Sequence, residues 1–350
     1  MLNPIQSARD PQPAPRLSVV VIGRNEGERL MACLRSVLAM DFPREQTEVI
    51  YVDSGSTDGS ALRASGLGAT VIEVRPERPS AALGRNAGWR AARGQFVLFL
   101  DGDTLLAPGF VNRALQEFAA SDVAIVWGHR REIDPGQSVY VRVLDLDWVY
   151  APGETAFCGG DALMRREVLE AVGGFDDTLI AGEEPEMCRR IRAAGWRIQH
   201  IDAPMTGHDL AVRSFKAWWR RAFRAGHAYA EVSARFRDSA DNLWQSEVRR
   251  NLIHGSGLVA VGLLVLSTPF MPAAVALGIL LGVVLATLAV LARTAARCAW
   301  KSDDRVTTWL YAIHSHLQQV PILVGQLSQR LDALSGRRRR LIEYKSTGNP

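Results

Sequence analysis

From Leu17 to about Asp134, short apolar runs alternate with stretches whose apolar residues recur at helical spacing. Val19–Ile22, Val49–Val52, Thr70–Val74, Phe96–Leu100 and Val123–Trp127 read as strands. Between them, Glu28–Met40 places Leu30, Cys33, Leu34, Val37 and Leu38 on one helical face. Helices are also expected over Ser80–Arg93 and over Pro108–Ala120, where the proline suits a helix start. Strands alternating with helices predict an α/β fold around a mostly parallel central sheet.

The region from about 135 to 210 is less periodic. It carries the turn Cys158-Gly159-Gly160-Asp161, a helix around Arg165–Val172, the loop Gly173-Gly174-Phe175-Asp176-Asp177 and a helix opening near Glu183. Arg213–Arg237 is strongly amphipathic, with bulky aromatics near one face and Lys216, Arg220, Arg221 and Arg224 around the other. Such a helix suits either a membrane interface or packing against its own domain. Positions 251–292 contain no Asp, Glu, Lys or Arg, enough for two short membrane helices broken near Pro269–Pro272. A spanning hairpin is the expectation and a re-entrant one the alternative. Arg249 and Arg250 before it, with Arg293, Arg297 and Lys301 after it, put both ends in the cytoplasm by the positive-inside rule. Val306–Leu334 is again amphipathic and is interrupted by Pro321.

Composition changes this picture little. The 350 residues carry a net charge of +4, with the basic residues clustered late at Arg220-Arg221, Arg249-Arg250 and Arg337–Arg340. Such blocks suit anionic lipid or solvent, and no nucleic-acid partner is expected. Four scattered cysteines, Cys33, Cys158, Cys188 and Cys298, imply no disulfide framework. Residues 1–16 are polar and proline-bearing and read as a disordered leader without a signal peptide.

Candidate chemistry gathers where strands end. Asp101 and Asp103, separated by one glycine, follow the Phe96–Leu100 strand. In open α/β sheets the ligand crevice lies outside the carboxyl ends of the strands. Two carboxylates there suit a hard cation such as Mg²⁺ or Mn²⁺ that in turn holds a diphosphate; a polar turn is the competing reading. Arg24, Asn25 and Glu26 follow the first strand and Asp53 the second, while Arg85 and Asn86 lie near a helix start. Together they make a nucleotide pocket. Only Gly23 and Gly27 stand where a dinucleotide fingerprint needs three glycines, which argues against a nicotinamide enzyme.

Over about residues 17–235 the chain resembles the family 2 inverting glycosyltransferases of the GT-A fold. The resemblance rests on Val19–Glu26, Val52–Gly59, Gly84-Arg85-Asn86-Ala87-Gly88, Asp101-Gly102-Asp103, Gly159-Gly160-Asp161, Gly173–Asp176 and Gly182-Glu183-Glu184, in that order. It implies a nucleotide-sugar donor with Asp53 on the base, Asp101 toward the ribose and Asp103 on a divalent metal bridging the diphosphate. His208 would complete the metal shell, and Asp161 would border the acceptor. The family pattern ends in Glu-Asp and uses the second acid as catalytic base; here that position is Glu184, one methylene longer, beside Glu183. Trp218-Trp219-Arg220-Arg221 is similar to a processive-synthase signature but lacks its Gln and reverses its order, which argues against processivity. Arg220 and Arg221 remain candidates for a diphosphate or for lipid.

The resulting expectation is a donor half (about 17–134) and an acceptor half (about 135–210) of a GT-A domain. Interfacial helices (211–250), a hairpin (251–292) and a cytoplasmic helix with a basic tail (293–350) follow. The expected activity is metal-dependent, inverting transfer of a sugar to a hydroxyl acceptor, lipid-linked and destined for cell-surface polysaccharide, at the cytoplasmic face of the plasma membrane. The alternatives are a polyprenyl-phosphate acceptor, or a non-catalytic sugar-nucleotide-binding subunit of a polysaccharide assembly complex.

Overall fold

Strand β1 (Leu17–Gly23) is covered on both faces, so its Val19–Ile22 run is continuously apolar rather than alternating. The computed structural model, which describes residues 14–239 and 243–336, builds outward from it. Helix α1 (Glu28–Leu38) leads to β2 (Thr47–Asp53), α2 (Ser60–Gly66) to β3 (Thr70–Glu73), and α3 (Ala81–Ala91) to β4 (Phe96–Asp101). Each helix is a crossover, so β3, β2, β1 and β4 lie parallel in that order. The register Val20↔Ile50 and Val20↔Phe99 stacks three apolar strands. Phe99, Leu98 and Tyr51 are fully buried in the core they form. Truncating a side chain such as Phe99 to alanine costs about 3–5 kcal/mol.

The second half departs from the expected parallel arrangement. After β5 (Thr104–Leu106), α4 (Phe110–Glu117), β6 (Val123–Glu132), α5 (Val139–Asp145) and β7 (Gly153–Glu154), strand β8 (Ala162–Arg165) enters between β4 and β6 antiparallel to both. Helices α6 (Arg166–Val172) and α7 (Glu183–Ala193) precede β9 (Arg197–His208), which runs parallel to β6 and antiparallel to β5 and β7. The nine-stranded sheet is therefore mixed rather than mostly parallel. The cause is β8, which is fed by a loop and not by a crossover helix. β6 also outruns its apolar stretch: the polar residues His129–Glu132 stay in the ladder by pairing with β9 through register shifts. His208 ends β9 rather than following it.

Helices α8 (Phe215–Arg235), α9 (Gln245–Ser267), α10 (Ala273–Cys298), α11 (Arg305–Leu317) and α12 (Gln319–Leu334) complete the described chain. The Pro4–Pro13 part of the leader and Arg337–Arg340 lie outside the described residues. α8 buries Trp218, Ala222, Gly226 and Val232, so the amphipathic face finds much of its partner within the chain. It crosses α12 at backbone contact: a Cβ on Gly226 would stand 2.1 Å from the Ile322 carbonyl oxygen, and one on Gly325 would stand 2.1 Å from that of Phe223. The break between α11 and α12 falls at Gln318, upstream of Pro321, which sits in the first turn where a missing N–H leaves no bond unmade. Gln245–Phe270 and Ala273–Lys301 are long and apolar enough to cross a membrane and are scarcely covered by the rest of the chain.

Candidate active site

A cavity of about 760 Å³ opens at the carboxyl ends of β1 and β4 and continues beneath α8, α9, α11 and α12. Register places its floor: Gly23 pairs with Asp53, and Ile22 with Asp101, so three strand-ending loops emerge at one height. The Gly102 N–H donates to the Ile22 carbonyl at 2.8 Å, turning the chain so that Asp101 and Asp103 both reach the cavity.

Arg85, in α3, organises the centre. Its Nη1 donates to Glu183 Oε1 at 2.8 Å and its Nη2 to Asp101 Oδ1 at 2.9 Å, with the guanidinium almost wholly buried. Arg130 stands behind Asp101, 4.0 Å from Oδ2, and stacks over the Trp148 ring at 4.3 Å. Two carboxylates facing two buried arginines fix geometry more than they add stability.

Asp103 meets His208 on the neighbouring edge, Oδ2 to Nε2 at 3.5 Å. The other ring nitrogen, Nδ1, lies 2.6 Å from Glu132 Oε1. Burial and the nearby Arg130 charge push the His208 pKa down, favouring neutral imidazole. With Nδ1–H donated to Glu132, the Nε2 lone pair faces Asp103, an arrangement a cation between them would make favourable. Among the described residues no group of three or more His, Cys, Asp and Glu side chains is arranged to hold a metal. The pair nevertheless fits Mg²⁺ or Mn²⁺, which take one or two protein ligands and fill the remaining positions with water and phosphate oxygens.

Glu184 stands across from this pair at the start of α7, behind Gly182, whose φ of +86° admits the sharp entry. Glu183 is held by Arg85, while Glu184 lines the cavity. Burial and the adjacent Glu183 push its pKa up to about 7. A carboxylate with that pKa is poised to accept a proton near neutrality.

Arg24, Asn25, Glu26, Arg85, Asp101, Asp103, Glu183, Glu184, His208 and Arg221 thus share one cavity. Four expected residues do not face it. Asp53 is buried, accepting from the Tyr51 hydroxyl and from the Gly55 and Ser56 N–H groups, so it shapes the loop that Asn25 then braces. Asn86 clasps the backbone of Phe175 from both sides. Asp161 is fully buried, receiving the Asp101 N–H and the Thr206 hydroxyl, and so supports Asp101 from behind. Arg220 points to solvent, one step round α8 from Arg221. Sequence reasoning missed Arg130 and Glu132, which sit in the polar end of a strand that reads as loop. It also missed Asp147, Trp148, Lys301, Tyr311 and His314, which only tertiary packing brings to the cavity.

The description "Glycosyl transferase family 2" matches residues 18–173, and "Glycosyl transferase family group 2" matches residues 96–291. Glycosyltransferase AglE of Haloferax volcanii is 25% identical over 227 residues, covering 62% of this chain and 74% of that protein. Pre-mycofactocin glycosyltransferase of Mycobacterium tuberculosis is 29% identical over 229 residues, 61% of this chain but 46% of that protein, so the chain spans about half the length of that relative. Among solved structures, mannosyltransferase PcManGT from Pyrobaculum calidifontis, in complex with GDP-Man and Mn²⁺, matches with a TM-score of 0.59 at 23% identity. That match covers 91% of this chain and 90% of the other, and the likeness is one of fold.

Proposed function

The chain belongs to glycosyltransferase family 2, and from that premise we propose that it moves a sugar, with inversion and with a divalent metal, from a nucleoside diphosphate to the hydroxyl of a lipid-linked glycan. The observation that carries this reading is Glu184, a lone poised carboxyl in the same cavity as Asp101 and Asp103.

Asn25 and the loop it braces border the nucleotide, and Asp101, oriented by Arg85, faces the ribose. Asp103 and His208 would hold the cation, with Glu132 fixing the imidazole. Bound there, a divalent cation neutralises the charge that develops on the departing diphosphate. Glu184 takes the proton of the acceptor hydroxyl as its oxygen attacks the anomeric carbon. Attack on the face opposite the leaving group inverts the centre in a single displacement, which needs one base and no nucleophilic side chain. A phosphate acceptor is already ionised near neutral pH and has no use for such a base, so Glu184 favours a hydroxyl over a polyprenyl phosphate as nucleophile.

Membrane attachment follows from α9 and α10, both long and apolar enough to span, with basic residues at both ends of the pair. The positive-inside rule puts the cavity on the cytoplasmic face. PcManGT, in complex with GDP-Man and Mn²⁺, supports a nucleotide-sugar donor. The test is a panel of nucleotide sugars with Mn²⁺, read by nucleotide release and by transfer to membrane lipid extracts. Glu184→Gln should keep donor binding and lose transfer. Transfer by Glu184→Gln at the wild-type rate would refute the assignment.

A further inference from the structure

The basic doublets of the sequence are split by the fold. Arg221, half-buried, and Arg250, exposed at the cavity's mouth, line the cavity, whereas Arg220 and Arg249 are exposed and lie outside its lining. Lys301 joins the inner pair, its Nζ donating to the Leu146 carbonyl at 2.7 Å and standing 5.4 Å from the Tyr311 ring centre. Arg221 and Lys301 both act on the Asp147 carboxylate, which already accepts the Tyr311 hydroxyl at 2.9 Å.

His314 supplies an independent observation. It is 5% exposed and lines the same end of the cavity. Trp218 Nε1, which can only donate, lies 3.0 Å from His314 Nδ1. The ring proton is therefore on Nε2, and Nε2 has no hydrogen-bond partner, Asp147 Oδ2 lying 3.8 Å away. Asp147 faces this N–H as an ion-pair partner at a distance too long for a good hydrogen bond, so a closer phosphate oxygen would satisfy it better.

From these observations we infer that the helical end of the cavity is a diphosphate-recognition subsite, in which Arg221, Arg250, Lys301 and His314 hold the phosphate groups of a lipid-borne acceptor. The inference rests on the transferase reading above and adds the feature by which the acceptor is known. Position supports the lipid source. Arg250 immediately precedes the uncharged stretch and Lys301 closes the second apolar helix. The cations therefore stand at the level where a bilayer presents headgroup phosphates, with the apolar helices beside them for the lipid tail. The phosphate is a handle here and not the nucleophile, since an ionised phosphate has no use for a base such as Glu184.

The full chain in non-ionic detergent provides the test, with fluorescence of Trp148, Trp218 and Trp244, all lining the cavity, as the signal. Farnesyl diphosphate should bind at least about tenfold more tightly than farnesol or inorganic pyrophosphate. Arg221→Gln and Arg250→Gln should each weaken farnesyl diphosphate binding by about tenfold, while the outward Arg220→Gln and Arg249→Gln retain wild-type affinity. The outward pair removes the same charge, so it separates recognition from loss of net charge, and melting curves identify any misfolded variant.

The inference is overturned by farnesol binding as tightly as its diphosphate, by inner and outer variants weakening binding equally, or by phosphatidylglycerol vesicles displacing farnesyl diphosphate at equal phosphate concentration. The last would mark a general anionic-lipid surface. Inorganic pyrophosphate binding as tightly as the farnesyl ester would assign the subsite to a soluble diphosphate and likewise sink the lipid-borne acceptor. Hydrolysis of nucleotide sugars by the wild-type protein with Mn²⁺ is measured alongside. Hydrolysis without the farnesyl diphosphate pattern refutes this subsite alone, and the pattern without turnover of any donor refutes the transferase reading.

Discussion

Arg85 reaches Glu183 across 98 positions of sequence and meets it at 2.8 Å, both side chains buried. The pairing occupies one of two adjacent acids and leaves Glu184 for the cavity. It also ties α3 to the entry of α7. Removing the arginine strands the buried Glu183 carboxylate and leaves the half-buried Asp101 without its partner. Arg85→Ala should therefore destabilise the fold by about 3–5 kcal/mol, read as a lowered denaturant midpoint. Arg85→Lys cannot reproduce the two-armed contact and should recover only part of the loss.

Transfer should rise with pH through about 7, because Glu184 accepts a proton only when ionised and its pKa stands near that value. Glu184→Gln should lower kcat by about 10²- to 10⁴-fold and abolish this limb of the profile. Stability runs the other way. A carboxyl whose folded pKa is raised holds its proton more tightly in the native state, so its contribution is full below the unfolded value near 4.5 and falls as pH rises to 7. Above pH 7, Glu184→Gln should accordingly melt higher than the wild type.

Mn²⁺ binding, followed by its electron paramagnetic resonance signal without donor or acceptor present, should depend on Asp103 and His208. Asp103→Asn and His208→Ala each remove one of the two proposed protein ligands. Glu132→Gln leaves both in place but loosens the imidazole it orients, and should weaken Mn²⁺ by about 10- to 100-fold. Equal Mn²⁺ affinity in all three variants would exclude this edge of the cavity as the metal site.

Gly226→Ala should destabilise the chain by at least about 2 kcal/mol, since the added methyl meets the Ile322 carbonyl and a backbone cannot step aside as a side chain can. Gly257→Ala, in α9, meets nothing within 4 Å. It should be neutral or stabilising, by up to about 1 kcal/mol. Thermal melting of the two variants in the same detergent decides the point.

Periodicity alone locates β1 to β4 and the crossover helices α1 and α3, because strands buried on both faces leave long apolar runs; α2, seven residues with only Ser60 and Ala64 buried, is too short to show one. It stopped short at β6, where Arg130 and Glu132 are strand residues serving the site; polar side chains on a strand carry the same pattern as a loop. The acids at strand ends were legible as a group, but not which way each turned. Asp53, Asn86 and Asp161 face backbone groups that exist only once the loops have folded. The far wall of the cavity had no local signal at all, since Asp147 and His314 are brought within 3.8 Å only by the docking of α11.

The glycine crossing of α8 and α12 has a mechanical consequence. α12 also supports the start of α9, where a Cβ on Gly255 would stand 2.7 Å from that of Leu323. One helix therefore braces both the hairpin and the element carrying Arg221. In the membrane setting proposed above, hairpins adapt to bilayer thickness by tilting, and a tilt conveyed through a contact this rigid would shift one wall of the acceptor cavity. Acyl-chain length then becomes a control on turnover, acting on the enzyme through leverage rather than through binding.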